Sequence, residues 1–304
     1  MELNFYRTDV FLCGRIFLPY GMERFGISKM KKNNTLALTE AGVMISLSAV
    51  LSLLKLIELP YGGSVTFASM LPIIIYSYRH GIKYGLGAGL AASAIQLLLG
   101  LKYFSYFTTW YSIVSLAVFD YIIAFSAFGI GSAFKKRLPQ SHAIPLAALI
   151  ASVIRYICHF ITGATIWAGL SIPTEAAIIY SLGYNATYMI PETIVLCTVA
   201  AYLTSAIDFS QKTPARRTYE SSKVDYAPLM KILASLIMVF AIIFDTIKVF
   251  GLLQDADSGE FIITNLALVN WSAIVIVTAV SVIAATLLLL GARGVFTKKR
   301  DSRN

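Results

Sequence analysis

Residues 143–169 read AIPLAALIASVIRYICHFITGATIWAG, a run in which Arg155 and His159 are the only basic groups and no carboxylate appears. A helix crosses the hydrocarbon core of a bilayer with about 20 mostly apolar residues, so this run is long enough to span. Its two basic side chains then lie at a depth where a lone charge is costly, and they must face an interior cavity or a partner rather than lipid. Outward from this stretch, further apolar runs of spanning length lie near 36–57, 82–101, 110–134, 175–207, 229–253 and 266–292. A shorter run, Ser64 to Tyr78, contains Pro72 and is too short to cross untilted. It reads as a tilted or broken span leaning on its neighbours, and counting it gives eight. The chain is 57% hydrophobic and only 13% charged, with a mean hydropathy of +0.72, which excludes an ordinary soluble domain. The expected fold class is an all-α integral membrane protein.

Charge tests that count, because short cytoplasmic loops collect Lys and Arg. With eight spans, Arg24, Lys29, Lys31 and Lys32, then Arg79 and Lys83, then Lys135, Lys136 and Arg137 all fall on one side. Lys212, Arg216, Arg217, Lys223 and the basic tail from Arg293 to Arg303 fall there too. The other side carries Lys55 and Lys102 at span ends, with Glu58, Glu175, Asp255, Asp257 and Glu260. The expected topology is multi-pass in a bacterial plasma membrane with both termini cytoplasmic. The net charge of +9 is then a topology signal, and no nucleic-acid partner is expected. Cys13, Cys158 and Cys197 share no motif spacing, and with three histidines neither a disulfide framework nor a metal site is expected.

One polar connector, with Pro214 and Pro228, interrupts the apolar pattern. The expected organisation is an N-terminal cytoplasmic extension at 1–35, a six-helix membrane domain at 36–208, a cytoplasmic connector at 209–228, a two-helix transmembrane appendage at 229–292 and a basic tail at 293–304. Met30 opens directly onto the basic flank of the first span, so the first 30 residues also read as an overextended start. In the appendage, Asp245 and Lys248 stand at a spacing that favours pairing. Gly85, Gly87, Ala88, Gly89, Ala91 and Ala92 form a small-residue stripe suited to close helix packing in lipid. Gly42 and Ser46, four apart on the first span, fit packing inside the domain and docking onto a partner protein equally.

Polar groups at membrane depth mark a candidate site. Asp120 interrupts the apolar run around 116–125. Arg155 and His159 are one turn apart, and Trp167 continues the same stripe. Tyr180, Tyr184 and Tyr188 form an i, i+4 ladder that ends at Glu192, with Asn185 beside it and Pro191 near its end. Each group also fits a role without a ligand: Asp120 as ion-pair partner of Arg155, His159 as a hydrogen-bonded core residue, the tyrosines as packing or interfacial anchors. Together, one acid, one imidazole, one amide and several aromatics suit a small, flat, partly cationic ligand. No G-x-x-x-x-G-K-[ST] loop occurs, so ATP hydrolysis by that route is not expected of this chain, nor are catalytic residues.

The sequences LTEA at 38–41, ELPYGGSVTFASMLP at 58–72, Asp120-Tyr121, RYICHFITG at 155–163, Trp167 and YSLGYN at 180–185 together resemble the thiamine-specific substrate-binding (S) components of energy-coupling factor (ECF) transporters, the ThiT family. The likeness covers about residues 36–208. It implies a six-helix S-component bundle, here with two extra C-terminal transmembrane helices, that captures thiamine near the outer face. It further implies a transmembrane coupling subunit and two ATPase subunits as partners, and no resident cofactor. The implied thiamine-binding residues are Asp120, Tyr121, Arg155, Tyr156, His159, Trp167, Tyr180 and Asn185, with Tyr61 and Tyr103 completing the set. Asp120 would answer the thiazolium charge or an aminopyrimidine donor, Trp167 would stack, and Arg155 stands where members of the family use Lys. Tyr61 takes the place of a Trp found in some members. Gly42 and Ser46 would form part of the docking face. Two alternatives remain on the sequence alone: a self-sufficient cation-coupled thiamine transporter using Asp120 or His159 as a proton relay, and a membrane enzyme or ligand sensor.

Overall fold

The computed structural model describes the backbone of residues 20–59, 62–106, 109–167, 174–216, 226–253 and 263–301. Its chain order is α1 (Tyr20–Leu53), β1 (Lys55–Glu58), β2 (Ser64–Thr66), α2 (Leu71–His80), α3 (Ile82–Leu99), α4 (Trp110–Ile130), α5 (Gln140–Trp167), α6 (Thr174–Ala206), β3 (Ile207–Asp208), β4 (Ala215–Arg216), α7 (Ala227–Leu253) and α8 (Trp271–Asp301). Two compact units divide it, Met1–Glu40 and Ala41–Asn304, and the features below belong to the second. Among the described residues, seven stretches are helical, long and apolar enough to cross a membrane, one in each of α1 and α3 to α8. The chain is an all-α integral membrane protein.

The short run at 64–78 is not one tilted helix. It breaks into β2, a turn and the 10-residue α2, and ten helical residues rise only about 15 Å, half a hydrocarbon core. The break has a local cause. Thr66 and Ser69 share a hydrogen bond of 2.8 Å between their hydroxyls, Ala68 takes φ 53°, and Pro72 opens the helix. All of Leu71 to Tyr78 is buried, so this irregular backbone is enclosed by protein, the condition under which it is tolerated at membrane depth. β1 and β2 form an antiparallel hairpin with Lys55 opposite Thr66 and Glu58 opposite Ser64. Near its tip Gly62 has φ +101°, and the Tyr103 ring stands where a Cβ on it would lie; a side chain there meets both backbone strain and a collision.

Four residues of the small-residue stripe, Gly85, Ala88, Gly89 and Ala92, pack inward, while Gly87 and Ala91 are exposed. Gly85, Ala88, Gly89, Ala92 and Ser93 are the buried residues of α3. A methyl group on Gly85 would run into the Ser77 side chain of α2 and the Gly129 carbonyl of α4. Gly42 and Ser46 behave differently. Both are exposed, and among the described residues nothing lies within 4 Å of the space a side chain on Gly42 would fill. In the appendage the expected Asp245–Lys248 pair does not form. Thr278 of α8 donates to Asp245 Oδ2 at 2.6 Å, and Lys248 sits over the Phe244 ring. Thr278 across the helix interface gives one oxygen of the acid a donor and leaves the buried Oδ1 without one, while Lys248 stays exposed.

The loops gather into two polar groups. Arg79, at the end of α2, donates to the carbonyls of Phe209, Gln211 and Lys212 at 3.0–3.1 Å, and Lys135 Nζ reaches the Arg79 carbonyl at 3.5 Å. Gln140 holds the same segment, donating to Ile207 and accepting from Phe209 N–H. Burial and the Arg79 charge together hold the Lys135 ammonium below its usual range. In the second group Glu58 pairs with Lys55 at 2.6 Å and with Lys102 at 3.5 Å. The Lys55 hydrogen bond holds the Glu58 carboxyl below the ordinary carboxylate range. The basic loops after α2, α4 and α6 thus meet one another, and Lys55 and Lys102 share Glu58.

Candidate ligand site

The chain of polar contacts begins in α4, where residues Leu116–Ile123 wind as a π-helix. A π turn inserts an extra residue into the helical register and re-aims the side chains beside it, and such turns concentrate at functional sites. Asp120 and Tyr121 lie within it. Asp120 Oδ2 stands 3.0 Å from His159 Nδ1 of α5, both side chains largely buried. One turn back along α5, Arg155 Nε donates to His159 Nε2 at 3.2 Å. An Nε2 that accepts from a guanidinium carries no proton, so the imidazole is assigned as neutral with its proton on Nδ1, directed at Asp120. Arg155 Nη1 lies 2.6 Å from Glu192 Oε2 of α6, and its guanidinium carbon sits 4.9 Å from the centre of the Phe125 ring. Glu192 Oε1 accepts from Thr66 Oγ1 at 2.7 Å, which ties β2 to the network.

The expected alternative pair, Asp120 with Arg155, is therefore replaced by two crossed pairs, Asp120–His159 and Arg155–Glu192, bridged by the Arg155–His159 bond. The charge sum follows directly: two carboxylates face one guanidinium and a neutral ring, leaving one negative charge in excess. Asp120 Oδ1 is buried and has no hydrogen-bond partner. An ionised oxygen left in that state costs about 1–3 kcal/mol or more, so within this cluster the atom is the place where a donor or a cation has most to gain. A water-sized void of about 10 Å³ lies beside Arg155 and Glu192, lined also by Ser69 and Ser152.

The tyrosine ladder forms as read. Tyr180 and Tyr184 stack at 5.7 Å, Tyr188 meets Tyr184 edge-on at the same distance, and all three are buried. Tyr188 carries the ladder to the polar cluster, with its ring 6.2 Å from that of His159 and its hydroxyl donating to Asn185 Oδ1 at 2.6 Å. Asn185 Nδ2 in turn donates to the Ser181 carbonyl at 2.8 Å and the His159 carbonyl at 3.2 Å. The hairpin covers this ladder: Gly63 N–H donates to Tyr184 Oη at 3.1 Å, and Leu59 and Val65 pack against the rings.

The structure brings Asp120, Arg155, His159, Tyr180 and Asn185 into one connected region. Tyr121 lies behind it, stacked between Phe104 and Phe125 with its hydroxyl 3.4 Å from the Gly100 carbonyl. Tyr156 turns to the seam between α5 and α6, donating to the Leu182 carbonyl at 2.9 Å. Tyr103 joins the hairpin tip, its hydroxyl 3.2 Å from Glu58 Oε1. Tyr61 and the side chain of Trp167 lie outside the described residues. Thr66 belongs to the network without having been singled out, and Tyr188 and Glu192, read as part of the polar ladder, stand outside the implied thiamine-binding set. For Glu192 the signal was present, since it closes the i, i+4 series of the ladder.

Comparison with known proteins gives the chain a family. The family model for thiamine transporter protein (Thia_YuaJ) matches residues 38–211, a span that contains every residue of the network. This chain belongs to that family. The thiamine transporter ThiT of Bacillus subtilis (strain 168) is 32% identical to it over 178 residues, which make up 55% of this chain and 88% of that protein. The uncharacterised protein YybS of the same strain is 30% identical over 142 residues, 47% of this chain and 41% of that protein. Membership of the thiamine transporter family assigns the chain to transport rather than to catalysis. The matched span ends just beyond α6, so α7 and α8 lie outside it.

Proposed function

We propose that this chain captures thiamine at the outer face of a bacterial plasma membrane and serves as the substrate-binding subunit of an ECF-type importer. The single observation that carries the ligand reading is the buried cluster with one negative charge in excess and an unpartnered Asp120 Oδ1, which suits a ligand bearing one permanent positive charge. Asp120 answers that charge or an aminopyrimidine donor, and His159 and Asn185 supply polar edges. Tyr180 and Trp167 supply flat faces, and Tyr61 and Tyr103 complete the ligand set. Arg155 sets the charge from behind, while Tyr121 and Tyr156 support the walls. Residues 36–208 form the binding domain and 229–292 the appendage.

The partners are a transmembrane coupling subunit and two ATPase subunits, and the exposed Gly42 and Ser46 belong to the docking face. The basic loop group around Arg79 and Lys135 lies on the cytoplasmic side, with both termini, and the Lys55–Glu58–Lys102 group lies outside. Calorimetric titration of the purified chain tests the ligand: thiamine is expected to bind and riboflavin and biotin are not. Equal weak binding of all three would remove the assignment.

A further inference from the structure

Glu192 has both carboxylate oxygens engaged, one by Arg155 and one by Thr66, and Thr66 is itself held by Ser69. The void that Glu192 lines with Ser69, Ser152 and Arg155 is water-sized. Resting on the thiamine reading above, we propose that Glu192 is a positioning residue that sets the charge selectivity of the site: by engaging Arg155 it leaves Asp120 as the one carboxylate without a cation. The charged groups of the cluster are Asp120 from α4, Arg155 from α5 and Glu192 from α6; β2 contributes only hydroxyls. His159, Tyr121, Tyr188 and Cys158 stand nearby as neutral groups. Within this set the guanidinium has one alternative carboxylate, Asp120, reached through His159. Without the Glu192 charge the cluster sums to zero, and Arg155 becomes the competitor of any cationic ligand for Asp120. With it, the pair is internally neutral and the attraction for a monocation persists.

The test compares thiamine with a neutral isostere whose thiazolium nitrogen is replaced by carbon, titrated calorimetrically into the full chain in lipid nanodiscs. Wild type is measured first and is expected to prefer thiamine. In Glu192→Gln, thiamine affinity is expected to fall by about tenfold or more, as the loss of one unit charge at this range dictates, while the isostere changes by less than about threefold. The double variant Arg155→Met/Glu192→Leu removes the pair, keeps the Asp120 charge and retains a packed interior; it is expected to recover most of the preference for thiamine. Equal losses for both ligands in Glu192→Gln, or a double variant that no longer prefers thiamine, would overturn the proposal. Should Glu192→Gln fail to fold, the double variant decides alone by the same criterion. A wild type that binds no thiamine removes the ligand reading itself and this inference with it, a result distinct from thiamine binding that ignores the charge at position 192.

Discussion

Asp120 shows how much a single side chain is asked to do. Its Oδ2 is committed to His159, its Oδ1 has no partner, and its charge is the one left over when Arg155 and Glu192 cancel. Asp120→Asn removes that charge while keeping the shape, and thiamine affinity should fall by about 1–3 kcal/mol, the scale of one charged contact, measured by calorimetry; an unchanged affinity would place the ligand elsewhere. Asn185 supports a second expectation. Its amide accepts from Tyr188 and donates to Ser181 and His159, so Asn185→Leu strands the buried Tyr188 hydroxyl and should cost about 1–3 kcal/mol of stability, read as a lower Tm in detergent. Asp120, Arg155, His159 and Asn185 were all legible in the sequence, because a polar group inside an apolar helix needs a partner and few were on offer. Which acid would meet which base was not. Arg155 and His159 share one helix face, and the choice between them is made by the π turn around Asp120, an irregularity that no residue in the run Leu116 to Ile123 announces.

Among the elements, α2 and α3 show close packing in lipid doing the work that hydrophobic burial does in water. Where α3 crosses α2 and α4, Gly85 lets the backbone lie against the Gly129 carbonyl, and the Ser77 hydroxyl donates to that same carbonyl. Gly85→Val puts two methyl groups into this contact; overpacking of a fitted interface costs about 1–3 kcal/mol, and the thermal midpoint should drop even though the variant is more apolar. Gly87, two residues on and on the far side of the helix, has open space before it, so Gly87→Val should leave the midpoint where it was. A scale of apolar composition alone ranks the two variants alike, and only the packing argument separates them. The stripe itself was readable as a periodicity of small residues, and Pro72 warned of a break at 64–78. The hairpin was not readable: β1 and β2 have only four and three residues, and their pairing depends on the tyrosine ladder that Gly63, Leu59 and Val65 cover.

At the scale of the whole molecule, the two polar loop groups turn a charge pattern into a testable orientation. Lys135 and Arg79 meet at one group, Lys55, Glu58 and Lys102 at the other, and the basic-loop bias assigns the first to the cytoplasm. Single cysteines at 102 and 136, placed in a background without Cys13, Cys158 and Cys197, should therefore react oppositely in intact cells. Position 102 should be labelled by a membrane-impermeant maleimide added outside and position 136 only after permeabilisation; the reverse pattern would invert the topology and put the excess charge of Asp120 within reach of the wrong compartment. The same reasoning separates the modes of transport. A subunit that only captures its ligand should bind thiamine in a host without coupling ATPases yet accumulate none, and should gain accumulation when those subunits are supplied. A cation-coupled carrier would accumulate thiamine unaided and lose it to an uncoupler, with the Asp120–His159 pair as the proton path. The bridge from Arg155 Nε to His159 Nε2 argues against that path, because a relay through His159 needs an Nε2 free to take a proton, and here a guanidinium N–H already occupies it.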